Sequence, residues 1–154
     1  MNNNKRDGES SIDINLITKI NKKLNFYFST ENINNINKSP SEKLFLGESN
    51  GLLGYPNFYF TGHSSFLLTT EMIYMPNIEI FTIIPAFAIF TSSGNTFEKQ
   101  KNVNFNELNS SIGIGLRLGL SRSSEKIISH LNISWPLSPL INGPIFSIKS
   151  KKHI

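Results

Sequence analysis

Cysteine is absent from the 154 residues, which excludes disulfides, thiolate metal sites and cysteine nucleophiles together. Histidine is nearly absent: His63, His130 and His153 stand too far apart for the H-x-x-x-H spacing of a zinc site. Charged residues make up only 17% of the chain, below the roughly 25% of an ordinary soluble domain. The net charge of +4 is modest, and its lysines are scattered or terminal rather than striped, so nucleic acid is not an expected partner. Long hydrophobic runs are missing too. The longest, Ile80 to Phe90, contains Pro85 and is about half of what a membrane-spanning helix requires. Between Met1 and Ile20, Asp7, Glu9, Asp13 and Asn15 break up the apolar stretch of about 7–15 residues that a secretory signal needs.

Catalytic constellations are equally scarce. Gly62-His63-Ser64-Ser65 lacks the G-x-S-x-G elbow of a hydrolase and has no obvious acidic partner nearby in sequence. A dinucleotide fingerprint built on Gly113 and Gly115 would need its third glycine at position 118, which is leucine. Small residues facing a crowded interior explain these glycines better. The expectation is a chain that is not an enzyme, with no metal, no cofactor and no small-molecule substrate.

What is present is alternation. The length suits one domain, and period two outweighs helical spacing throughout. Ile112, Ile114, Leu116, Leu118 and Leu120 fall on one face of a strand, with Gly113, Gly115, Arg117, Gly119 and Ser121 on the other. The same pattern sets Ile127, Leu131, Ile133 and Trp135 against His130, Asn132 and Ser134. Phe66, Leu68, Met72 and Tyr74 oppose Ser65, Thr69 and Glu71. Ile12, Ile14 and Leu16 oppose Asp13 and Asn15; Leu24, Phe26 and Phe28 oppose Asn25 and Ser29; Phe146 and Ile148 oppose Ser147 and Lys149. Ile78 to Phe90 is apolar on both faces and reads as strand from its β-branched and aromatic content.

About seven strands result, each near the 9–11 residues of a tilted membrane strand. Tight turns at Asn21-Lys22, Met75-Pro76-Asn77 and Arg122-Ser123-Ser124 alternate with longer connections at 30–62, 93–109 and 138–143. The Asn-rich stretch 32–37 reads as part of a flexible external loop. An up-and-down barrel keeps short turns at one end and long loops at the other, whereas a β-sandwich has no reason to. The fold class expected is therefore all-β, an antiparallel meander forming part of a transmembrane barrel. Residues 1–10 form a disordered lead and 30–63 a long inward-folding loop. A cation facing the bilayer midplane costs about 2–4 kcal/mol, so Arg117 and Lys149 must face inward. Trp135 and Phe97 are expected at one interface and Tyr74 at the other. Pro85, in mid-strand, lacks a ladder donor and has no evident compensation.

Five segments in order carry a resemblance: LFLGESNGLLGYP (Leu44–Pro56), FLLTTEMIY (Phe66–Tyr74), AFAIFTSSGNTF (Ala86–Phe97), IGIGLRLGLSRSSEKIISHLNISWPL (Ile112–Leu137) and the basic, alternating tail. Together they resemble the C-terminal part of the bacterial surface antigen family, the BamA/TamA-like outer-membrane barrels that assemble or secrete other proteins. In that family a long loop folds into the lumen with a pattern like G-G-x-x-G-L-R-G-Y-P. Gly47, Gly51, Leu52, Gly54, Tyr55 and Pro56 match it here. Glu48 replaces the second glycine, and Leu53 stands where the family has arginine. The family's arginine docks on an aspartate of the lumen wall in a strand like F-x-D-x-G, and Phe90 to Gly94 matches that strand with Ser92 in the aspartate's place. Glu71 aligns with a glutamate common in the family's next strand, or is a solvated lumen charge beside Arg117.

Losing both members of a buried ion pair is physically coherent. Stranding one charge costs about 3–5 kcal/mol, whereas replacing both with neutral groups is often nearly free. Leu53 and Ser92 are then compatible either with a loop docked by packing alone or with decay of the contact. The resemblance implies a place in the cell outer membrane, contact with its lipid, and a part in inserting or secreting polypeptides. A client polypeptide and the remaining half of the barrel would be the partners. Phe146, Ile148 and Lys149 would lie in the seam strand. Family members carry larger barrels behind a periplasmic region, so the expectation is a fragment or split-gene product. The alternatives are a soluble antiparallel β-domain with a structural or interaction role, or a non-functional truncated remnant.

Overall fold

Alternation along the chain becomes a sheet with two unlike faces. The computed structural model describes residues 8–36, 43–98, 105–122, 127–139 and 141–152, the side chains of Ile36, Phe105, Lys151 and Lys152 excepted. Seven strands form the main sheet: β1 (Gly8–Lys19), β2 (Leu24–Ile36), β5 (Ser64–Tyr74), β6 (Ile83–Phe97), β7 (Asn109–Leu120), β8 (Ile127–Pro136) and β9 (Ile145–Lys152). Two three-residue strands, β3 (Leu44–Leu46) and β4 (Phe60–Gly62), make a separate small hairpin inside the longest connection. Every neighbouring pair in the main sheet is consecutive and antiparallel, giving the order β1-β2-β5-β6-β7-β8-β9.

Register aligns the apolar rows on one side of this meander. Leu16 pairs with Phe28, Phe26 with Met72, Met72 with Ile89, Ile89 with Ile114, Ile114 with Ile133 and Ile133 with Phe146. Most of these side chains stand in the open. Leu16 is 54% exposed, Ile89 59%, Ile114 51% and Phe146 71%. The opposite face holds the buried residues Ser65, Leu67, Ala86, Ala88, Phe90, Ser92, Ser111, Arg117, Asn132 and Ser134. We call these the outer and inner faces. The core is small and lies between the inner face and the β2–β5 connection: Leu46, Leu52, Tyr55 and Leu67, with Phe60 and Ile141 against them.

The antiparallel seven-stranded meander agrees with the periodicity, but several boundaries differ. β1 begins at Gly8, so residues 8–10 are strand rather than disordered lead; residues 1–7 lie outside those described. β2 continues to Ile36, converting Asn32 to Asn35 from expected loop into ladder, where they pair with Phe66, Ser65 and Ser64 and with β1. Cross-strand partners on both sides outweigh the weak strand propensity of asparagine. β6 begins at Ile83, not Ile78, and extends to Phe97, well past the expected end. Residues 75–82 form a turn in which Asn77 and Phe81 take positive φ and a bridge joins Ile80 to Ile83. The expected turn at Arg122-Ser123-Ser124 lies partly outside the described residues.

Phe97 is not at an exposed rim. It is 3% exposed, because the chain passing from β4 into β5 lies against the end of β6 and His63 N–H donates to its carbonyl at 2.8 Å. Pro85 has a structural account after all. Ser121 N–H donates to Thr82 O, which makes 82 and 121 a hydrogen-bonded pair; by alternation, Pro85 opposite Leu118 is a non-bonded pair. Its missing N–H therefore points away from β7, toward β5, whose ladder with β6 ends at Tyr74 opposite Phe87. The sheet is not closed. Among the described residues, neither β1 nor β9 has a strand on its far side. Among the described residues no helix is long and apolar enough to cross a membrane.

Candidate functional site

The segment Gly47–Pro56 lies on the inner face, and its own residues shape it. Glu48 N–H donates to Tyr55 O and Leu52 N–H to Gly47 O, both at 3.0 Å, folding the segment back on itself. That fold brings the two arms so close that a Cβ on Gly47 would collide with the Pro56 carbonyl. Gly51 and Gly54 take φ of 103° and 89°, a region that side chains avoid. Gly54 also sits where a Cβ would come 2.8 Å from the Ser111 Cβ, so the wall admits only glycine there. Leu52 and Tyr55 between them are fully buried, while Pro56 is exposed. Tyr55 seals the contact: its hydroxyl donates to Ser110 O at 2.9 Å, and its ring packs 5.3 Å from Phe60. Burial, reinforced by the neighbouring Tyr59, pushes the Tyr55 phenol above its ordinary pKa, keeping it a proton donor.

Leu53 and Ser92, the two positions where the ion pair would have stood, are in contact. The contact uses the Leu53 carbonyl rather than its side chain. Ser92 and Ser111 are cross-strand partners on β6 and β7, with their hydroxyl oxygens 2.8 Å apart. Ser111 Oγ donates to Leu53 O, and Ser92 Oγ lies 3.3 Å from the same carbonyl. With one proton per hydroxyl, the satisfying arrangement runs from Ser92 to Ser111 to the Leu53 carbonyl. Docking is thus hydrogen-bonded and not by packing alone. Gly94, two residues further along β6, leaves room for Leu46, whose Cδ2 would stand 3.0 Å from a Cβ there.

A second cluster lies further along the inner face. Arg117 is 5% exposed. Its Nε donates to Glu71 Oε1 at 2.7 Å, its Nη2 lies 2.7 Å from the same oxygen, and its Nη1 donates to Asn132 Oδ1 at 2.6 Å. Asn132 Nδ2 then donates to Ser147 Oγ on β9 at 3.3 Å. Phe90 lies 5.9 Å from the guanidinium carbon, within cation–π reach. Glu71 is therefore a paired, largely buried carboxylate and not a solvated lumen charge. The glycines of β7 make this packing possible. A Cβ on Gly113 would strike the Phe90 ring, and one on Gly115 would strike Asn132 Oδ1 and the Arg117 guanidinium.

Lys149, on edge strand β9, reaches the docked segment. Its ammonium donates to Glu48 O and stands 3.2 Å from Glu48 Oε1. Phe146 and Ile148 of the same strand point the other way and are 71% and 79% exposed. The structure thus joins Gly47–Pro56 to Ser92 and Lys149, and Glu71 to Arg117. It keeps Phe146 and Ile148 apart from both. Sequence reasoning missed Ser110, Ser111, Asn132 and Glu48 as partners. The register of β7 against β6 was the signal that would have found Ser111, and sequence does not supply it across a long connection. Near Gly62, His63 Nδ1 finds an acidic partner after all in Glu98 Oε2 at 3.0 Å, but the Ser64 hydroxyl is turned to the Phe97 carbonyl. Among the described residues no group of three or more metal-ligating side chains converges. No protein-family model, curated protein or solved structure matches the chain.

Proposed function

We propose that this sheet is a wall segment of an outer-membrane β-barrel, with its outer face against lipid and its loop in the lumen. On this reading it belongs to the surface antigen superfamily, and its work is the insertion or translocation of polypeptides. One observation carries the lipid contact: aligned apolar rows run across all seven strands, with exposed members on six of them and half-buried ones on β2, and the polar residues and ion pairs lie on the opposite face. A soluble domain rarely exposes an apolar patch beyond a few hundred Å², and hydrocarbon is the medium in which such a face carries no penalty. The seating of Gly47–Pro56 against Ser92 and its cross-strand partner supports the family reading, since these are the two segments the resemblance links. The edges of β1 and β9, unpaired among the described residues, call for further strands, because lipid leaves backbone groups at an open edge unsatisfied. The partners are then outer-membrane lipid, the strands that complete the wall, and a client polypeptide.

Trp135 is the single tryptophan and lies on the outer face, 41% exposed. Refolding the chain into vesicles of brominated phospholipid should quench its fluorescence strongly relative to unbrominated vesicles. A chain that stays monomeric and melts cooperatively in detergent-free buffer, with Trp135 open to aqueous quenchers, would show the soluble reading to be the right one.

A further inference from the structure

We infer that Glu48 and Lys149 form a latch that couples the seating of the inner-face loop to the position of edge strand β9. Two observations meet here. Glu48 belongs to the docked loop, its side chain is 11% exposed, and neither of its carboxylate oxygens completes a hydrogen bond. Its charge is compensated by the Lys149 ammonium at 3.2 Å, which also donates to the Glu48 carbonyl. Lys149 in turn belongs to a strand held by a ladder on one side only: β9 pairs with β8 over eight residues and, among the described residues, has no strand beyond it.

These positions make the two motions interdependent. If β9 peels away from β8, the ammonium leaves and an anion is stranded in a mostly dry site, so the loop becomes easier to lift. If the loop lifts first, Lys149 loses both its contacts and β9 is left with its single ladder. Coupling of this kind is reciprocal: whatever opening one element does to the other, the reverse opening does equally. The neutral serine contact at Leu53 lacks this property, since Ser92 and Ser111 lie on central strands that are paired on both sides. The latch is independent of the medium at the outer face and goes beyond the function proposed above; it describes β9 before any further strand of the wall joins it.

Hydrogen exchange on the chain refolded in detergent micelles tests it. The amides of Glu48 and Leu52 report the loop, those of β9 report the edge, and the β1–β2 ladder is the distant reference. Lys149→Met should speed exchange in both the loop and β9 by about 5–150-fold, the usual span of such couplings, and leave the reference unchanged. Glu48→Gln, which keeps the shape and strands no anion, should loosen both regions too and carries the test if Lys149→Met fails to fold. The two substitutions combined should do less than the product of their separate effects. Acceleration confined to the substituted element, or a double variant equal to that product, would overturn the latch.

Discussion

The two faces of this sheet are built from the same strands, yet obey different rules. On the outer face, Ile89, Ile112, Ile114, Phe146 and Ile148 stand exposed, and what recommends each of them is hydrophobicity. On the inner face the polar side chains around the loop have specific partners: Arg117 with Glu71 and Asn132, Ser111 with the Leu53 carbonyl, Tyr55 with Ser110 O, Lys149 with Glu48. On the reading proposed above, the outer face answers to a medium and the inner face to geometry. One should tolerate any apolar residue of suitable size, and the other should tolerate almost no substitution.

The sharpest way to break that contrast is at Arg117. Arg117→Met keeps the stem but leaves Glu71 buried without its cation, which should cost about 3–5 kcal/mol of stability in denaturant titrations. Adding Glu71→Gln should recover a good part of the loss, because a neutral pair strands no charge. An outer-face counterpart comes next. In vesicles, Ile114→Arg should destabilise the refolded chain by about 2–4 kcal/mol, as a cation at mid-membrane does, while Ile114→Leu should stay within about 0.5 kcal/mol. If Ile114→Arg were harmless there, the outer face would not be facing hydrocarbon. Among the disruptive substitutions the smallest effect should come from Ser111→Ala, which removes the proton donated to the Leu53 carbonyl and should cost about 1–3 kcal/mol. Limited proteolysis should show that loss as faster cleavage in the loop, with the sheet intact.

Much of the sheet was legible in the residues because alternation is a local property. Ile112 to Leu120 takes the phase that the sequence assigns, as do Phe66 to Tyr74 and Ile127 to Trp135. Legibility failed where local signals are weak or contradictory. Asn32 to Asn35 has turn-like composition but gains ladder partners from β1 and, up to Asn34, from β5 as well. Ile78 to Thr82 has the β-branched and aromatic content of a strand, yet positive φ at Asn77 and Phe81 turns the chain there. Pro85 looked misplaced because its tolerance depends on which pairs of the β6–β7 ladder are hydrogen-bonded and on where β5 stops.

The amino-acid order by itself determined that there are two unlike faces, which residues occupy each, and that Arg117 and Lys149 share a side. It could do so because successive side chains of a strand point in opposite directions whatever their neighbours are. Only the tertiary structure decided the partners: that Ser111 stands beside Ser92, that the Leu53 backbone rather than its side chain makes the contact, and that Lys149 meets Glu48. Those contacts depend on register between strands joined by long connections and on a loop folding back across the sheet, and no local spacing encodes either.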